Sequence, residues 1–209
     1  MDKNNALAGV AEYVDSVVST LTTEQVDDLQ QSPYKYAEKI KRKINGFLLA
    51  HRERTFKLWL EQGRITVESK FEFPPTISPS RYTQALPHSL YIAEEEMNGL
   101  ERDLVWEIAN LPNVRWWHRN ISKKGFCINA FERHYPDIIV MMKSGKVLLI
   151  ETKGDHLENS ESEKKCKIGR EWEKYAGTDY RYYMVFRDKN LKWDGAVRFS
   201  GLLEILRGL

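Results

Sequence analysis

The stretch YPDIIVMMKSGKVLLIETKG, residues 135–154, leaves the chain few options. Two apolar runs flank Lys143-Ser144-Gly145, and a three-residue loop with glycine in the left-handed position is a common hairpin closure. Such a loop pairs Met142 with Lys146, and counting back sets Asp137 opposite Glu151. Directly opposed residues share a face, with Cβ atoms roughly 5 Å apart. Lys153, two residues further, lies on that face too. A two-residue Ser-Gly loop would instead set Asp137 opposite Thr152 and send the two carboxylates to opposite faces. The chemistry favours the first register.

Charged groups at the apolar end of a strand are costly unless something pairs them. Two carboxylates at this separation repel, and one stays protonated unless a cation sits between them. Oxygen donors of this kind suit Mg²⁺, which takes one or two carboxylates and fills its other positions with water and phosphate oxygens. Lys153 then supplies positive charge for a phosphate or for a developing transition state. The alternative is a buried salt-bridge cluster.

Two helices bring further charge toward the hairpin. Residues 94–111 read as a helix with Met97, Leu100, Leu104, Val105, Ile108 and Leu111 in one stripe, and Glu101 falls inside it. A carboxylate aimed at a core needs a partner. Residues 161–176 read as a second helix, with Ile168, Trp172 and Tyr175 on its buried face. Lys165 extends that face toward the loop leaving Lys153.

Around these elements the spacing predicts strands over 114–120, 126–131 and 180–186, so the chain is expected to be α/β with a mixed sheet. Trp116 and Trp117 read as core, His118 as structural or phosphate-facing, and Lys123-Lys124 as a solvated turn. Residues 4–62 look helical, with an N-cap at Thr22 or Thr23 and a long segment from Pro33 to Gln62. Its basic run 39–43 reads as a solvated face, with nucleic-acid contact as the alternative. Residues 65–73 alternate like a strand, and the prolines at 74, 75, 79 and 87 are linker chemistry. The expected division is a helical N-terminal region, 1–89, and an α/β domain, 90–209.

The 209 residues are 42% apolar, enough for a sizeable core, and 32 basic against 30 acidic residues leave a net charge of only +2. Any nucleic-acid contact must therefore come from local clustering. Cys127 and Cys166 lack zinc-site spacing and suit a reducing cytoplasm. No apolar run approaches the ~20 residues of a membrane span, and the N-terminus carries no signal-peptide pattern. There is no P-loop, so no ATP site is expected.

Glu-x-Lys alone says little, since it recurs at Glu68-Ser69-Lys70 and Glu163-Lys164-Lys165. Pro136-Asp137 followed by Glu151-Thr152-Lys153, in an αβββαβ order, resembles the PD-(D/E)xK nuclease superfamily. WWHRN (116–120), YPDIIV (135–140), LLIETKGDHL (148–157) and KIGREWEKYAG (167–177) are similar to the C-terminal endonuclease domain of the restriction (Res) subunit of type III restriction enzymes. The resemblance covers about residues 90–190. It implies a restriction-endonuclease-like core and Mg²⁺- or Mn²⁺-dependent hydrolysis of DNA phosphodiesters. Asp137, Glu151, the Thr152 carbonyl and Glu101 would be metal ligands, with Lys153 and Lys165 catalytic beside those acids. Arg119, Lys123, Lys124 and Lys165 would meet DNA. It also implies a helicase region of a parent polypeptide and a modification (Mod) subunit as partners, so the chain reads as a fragment or a stand-alone relative. The alternatives are a nuclease of another helicase-linked repair or phage-defence protein, and a catalytically silent module that binds DNA or a partner.

Overall fold

A computed structural model of the chain describes residues 3–83 and 86–209. They form two compact units, 1–58 and 59–209. The division expected near residue 90 falls inside the second unit, because the segment after residue 63 packs along the sheet of that unit.

In the first unit, helix α1 spans Lys3–Ser19, α2 Thr23–Gln31, and α3 begins at Pro33 and runs to Glu61. Thr22 caps α2. Its hydroxyl accepts from the Gln25 N–H while the Gln25 side chain accepts from the Thr22 N–H, which satisfies two of the helix's orphan donors. Lys35 and Tyr36 at the start of α3 both donate to Asp28 of α2, at 2.9 and 2.7 Å. None of residues 8–58 is buried, so the apolar spacing read in this region does not correspond to a core within it.

The second unit is mixed α/β. Short strands β1 (Tyr82–Thr83) and β2 (Glu94–Glu95) pair with each other, and α4 follows at Gly99–Ala109. Then come β3 (Val114–Arg119), a small hairpin of β4 (Ile128–Asn129) and β5 (Arg133–His134), β6 (Ile138–Met142) and β7 (Val147–Lys153). Helix α5 (Ser160–Ala176), β8 (Tyr180–Phe186), β9 (Ala196–Arg198) and α6 (Phe199–Arg207) complete the unit. The main sheet has the order β3-β6-β7-β8-β9, antiparallel as far as β7 and parallel beyond it. Among the described residues no helix is long and apolar enough to cross a membrane.

Alternation along the strands divides the core in two. Ile138, Val140, Met142, Leu148 and Ile150 face α4 and α6, packing with Leu104, Val105, Ile108, Leu202 and Leu206. Ile139, Leu149, Tyr182, Met184 and Phe186 face α5, packing with Cys166, Ile168 and Trp172. The hairpin closes as its loop predicts: Met142 pairs Lys146, Gly145 has φ 91°, and Ile138 stands opposite Ile150.

Four local expectations differ from the structure. Residues 65–73 join no ladder; they form an extended strap whose Val67, Phe71 and Phe73 pack on the α5 face, while the Glu68 carbonyl accepts from Trp172 Nε1 at 3.0 Å. Burial of one side of an extended segment produces the same alternation as a strand. The strand expected over 126–131 shrinks to β4, outside the main sheet. Helix α4 starts at Gly99, where Asn98 and Glu101 form a capping box, rather than at Glu94. Tyr175 is exposed, because the buried face of α5 is centred on Gly169 and Ala176, small residues that leave little hydrophobic signal.

Gly169 lets α5 lie on the Tyr182 ring, since a Cβ there would stand 2.4 Å from its carbons. Gly169→Ala gains up to ~1 kcal/mol of helix propensity but forces a methyl into a packed core, at about 1–3 kcal/mol. The ring is fully buried and cannot give way easily. Net destabilisation is expected in chemical denaturation, and a stabilised variant would disprove this account of the packing.

Candidate active site

At the end of the sheet where β6 begins and β7 finishes, the chain gathers three acids and three bases. Asp137 directly precedes β6. Its Oδ2 accepts from the Thr152 N–H at 2.7 Å and the Thr152 hydroxyl at 3.0 Å. The carboxylate thus leaves the ladder direction and lies against the β7 backbone. Thr152, expected to offer a carbonyl, gives this acid two donors.

Glu151, 2% exposed, continues the face of Leu149 toward α5. Its Oε1 lies 2.6 Å from Lys153 Nζ and 3.7 Å from Lys165 Nζ, while its Oε2 is buried without a hydrogen-bond partner. A carboxyl oxygen taken out of water with no hydrogen-bond partner is expensive. It is the atom of this cluster with a coordination need the protein does not meet.

Glu101 is buried, as its place in the stripe predicts. One oxygen caps α4 by accepting the Asn98 N–H at 3.1 Å. Arg119 grips the carboxylate with a fork, Nε to Oε2 at 3.1 Å and Nη2 to Oε1 at 3.0 Å. Such bidentate pairs are strong and orienting. Arg119 Nη1 also donates to the carbonyls of Asn120 and Asp137, at 2.7 and 2.9 Å, and Nη2 lies 3.7 Å from Asp137 Oδ1. Arg119, expected to meet DNA, is thus turned inward. Both oxygens of Glu101 are engaged, which removes it from direct metal ligation in this arrangement.

The electrostatics follow from burial and proximity. Burial, then the Glu151 charge, pushes Asp137 up from its ordinary 3.8 to about 6, against the pull of Arg119 and the Thr152 N–H. Burial and then Asp137 raise Glu101, again opposed by Arg119. Burial alone would lower the Lys153 ammonium, but Glu151 outweighs it and holds that pKa above the ordinary value. Beneath the lysines, His134 and the Tyr182 hydroxyl share a buried 2.8 Å hydrogen bond. Burial and the charges of Lys165 and Lys153 push His134 down to about 3, so the ring is neutral at ordinary pH.

Lys123 and Lys124 lie on an exposed turn after β3, away from this cluster's hydrogen bonds, and Lys123 has a left-handed φ of 66°. Sequence reasoning missed Glu94. It is fully buried in β2, with Oε2 2.7 Å from His118 Nδ1 and 3.1 Å from the Arg119 N–H. The signal that separates it from the helix is Asn98-Gly-Leu-Glu101, the capping pattern that starts α4 four residues after β2.

Among the described residues no three His, Cys, Asp or Glu side chains are grouped as a metal site. The donor set that fits a cation is smaller: Asp137, and the unpartnered Oε2 of Glu151. Hard oxygen donors of this kind suit a divalent ion that keeps several waters. In comparisons with known proteins, the chain matches no family model, no curated protein and no solved structure.

The raised Asp137 makes stability pH-dependent in a defined direction. Below pH 3.8 folded and unfolded chains both hold its proton, and the group contributes nothing. Between 3.8 and about 6 the folded chain binds the proton more tightly, so rising pH removes stability; above about 6 the loss is complete. That span corresponds to at most ~3 kcal/mol. In EDTA-containing buffer Asp137→Asn should therefore be more stable than the parent at pH 8, with the advantage fading toward pH 4. Urea denaturation at both pH values measures it, and a pH-independent difference would contradict the carboxylate's assigned environment.

Proposed function

We propose that the second unit is a metal-dependent endonuclease that hydrolyses DNA phosphodiester bonds, of the kind found at the C-terminus of type III restriction Res subunits. The observation that carries this reading is Glu151 Oε2, buried and unpartnered beside Asp137, with Lys153 on the sister oxygen. An ion-pair cluster serving stability alone has no use for an unsatisfied carboxylate oxygen. The element order α4, β3, β6, β7, α5, β8 supports the reading, since it follows the αβββαβ order that the resemblance calls for.

Asp137, Glu151 and the Thr152 carbonyl would hold Mg²⁺ or Mn²⁺. When bound, the ion supplies Lewis-acid charge and a water of lowered pKa. The chain's own groups do the rest. The Thr152 N–H and hydroxyl hold Asp137 in one orientation. The Glu101–Arg119 fork fixes the carbonyl of Asp137 and keeps the end of β6 in place. Lys153 carries a full positive charge at neutral pH, which serves to orient a water or to offset charge growing on a phosphate oxygen. Lys165, a third exposed, lies on the solvent side of the same acid and suits a phosphate of the incoming strand. Lys123 and Lys124 are exposed cations suited to backbone contact, a salt-sensitive and sequence-blind interaction.

In the proteins it resembles, a helicase region and a modification subunit deliver the DNA, and loss of such positioning raises the barrier by several kcal/mol. Cleavage by this chain alone is therefore expected to be slow, of low sequence preference and indifferent to ATP. Supercoiled plasmid incubated with the protein and Mg²⁺ or Mn²⁺ should be nicked, with EDTA blocking the reaction. Asp137→Ala, Glu151→Ala and Lys153→Ala should each lower the rate at least ~100-fold while retaining a cooperative unfolding transition. Nicking that survives Glu151→Ala or EDTA would refute the assignment.

A further inference from the structure

Where the strap crosses the C-terminal end of β3 there is a cavity of about 310 Å³, walled by Phe71, Phe73, His118, Ile121 and Lys124. That volume is within the range of small-ligand sites. The rings are ordered by mutual edge-to-face contacts: Phe73 with Phe71 and with His118, at centroid distances of 5.0 and 5.5 Å. The walls offer aromatic surface, and the rim offers one cation.

The polar group is His118, only 3% exposed. Its Nδ1 lies 2.7 Å from Glu94 Oε2. The Ser89 hydroxyl, the Tyr91 N–H and the Arg119 N–H all donate to this carboxylate, and Nδ1 faces it as a fourth partner. Nε2 has no hydrogen-bond partner among the described residues, and it is the ring nitrogen left for a ligand. The carboxylate holds the buried imidazole in one orientation, with its other nitrogen turned away from Glu94.

The cavity also lies near the acids. His118 precedes Arg119 on β3, and the Asn120 N–H donates to the Asp137 carbonyl at 2.9 Å. A flat ring with hydrogen-bonding edges, joined to a phosphate, matches aromatic walls, a ring nitrogen with no partner and a lysine at the rim. That description is a nucleotide. Aromatic faces bind bases by stacking, worth about 1–3 kcal/mol per base and tolerant of sequence. We propose that this cavity receives one unstacked nucleobase of a nucleic-acid strand, held by Phe71 and Phe73, by a hydrogen bond to His118 Nε2, and by Lys124 at the phosphate. The proposal rests on the nuclease reading only for the source of the base.

The test is made in EDTA, where cleavage cannot occur, so failure of base binding and failure of the nuclease assignment are read separately. Binding of dAMP and of deoxyribose 5-phosphate is measured by calorimetry on the full chain. The wild type should bind dAMP at least ~5-fold more tightly, the minimum expected of one stacked base. His118→Asn, whose amide can still donate to Glu94 but lacks Nε2, should lose most of that advantage. Lys124→Ala should weaken both ligands alike. Equal affinity of the wild type for the two ligands, or an undiminished advantage in a folded His118→Asn, overturns the proposal. Should that variant not fold, the His118 ring resonance of the wild type decides: a shift on adding dAMP supports the site, and no shift overturns it. A single-stranded octamer should displace dAMP, and binding of the octamer without displacement excludes the strand as the source.

Discussion

Arg119 donates four hydrogen bonds through its guanidinium, two to Glu101 and one each to the carbonyls of Asn120 and Asp137. The helix that carries Glu101, the strand that carries Arg119 and the residue that opens β6 are joined at one point. Removing the arginine would leave a buried carboxylate with no counter-charge, a loss of about 3–5 kcal/mol for a buried pair. Its main-chain N–H meanwhile donates to Glu94, so the same residue links the acid cluster to the Glu94–His118 pair. Both candidate sites depend on where this one residue lies.

The cluster is balanced when it holds no other ion. Three acids, Glu101, Asp137 and Glu151, face three bases, Arg119, Lys153 and Lys165, within 4 Å contacts. The balance is uneven in position. Arg119 serves the α4 side, the lysines serve one oxygen of Glu151, and the other oxygen is left unserved. Positive charge placed at that oxygen would offset the Glu151 charge, which adds to burial in raising Asp137.

Short-range rules made much of this legible. The glycine-closed loop set the hairpin register, because one residue of slip would turn every apolar side chain of the strand to the wrong face. The helical period pointed Glu101 inward, because an apolar stripe has a direction wherever the helix packs. Other features escaped for equally physical reasons. The 65–73 strap and a strand share the same alternation, and only a ladder partner tells them apart. Glu94 looked like one more helix residue because Glu94, Glu95 and Glu96 are individually good helix formers, whereas the capping box that begins at Asn98 decides the boundary. Gly169 and Ala176 carry the face of α5 through their smallness, which no hydrophobic count registers.

The sequence by itself determined the α/β class, the hairpin and its register, and the set of charged residues placed at the strand ends. Each follows from backbone conformational preference and periodic burial, which act over a few residues. Only the tertiary structure decided which of those charges are engaged with one another. Arg119 faces Glu101 and the Asp137 carbonyl rather than solvent, Thr152 turns its donors to Asp137, and Glu151 keeps one oxygen unmatched. Side-chain pairing across 18 or 24 residues of sequence depends on how α4, β2 and β3 pack together. In a buried site the partner, and not the residue type, sets the chemistry, because each unpaired charge costs several kcal/mol.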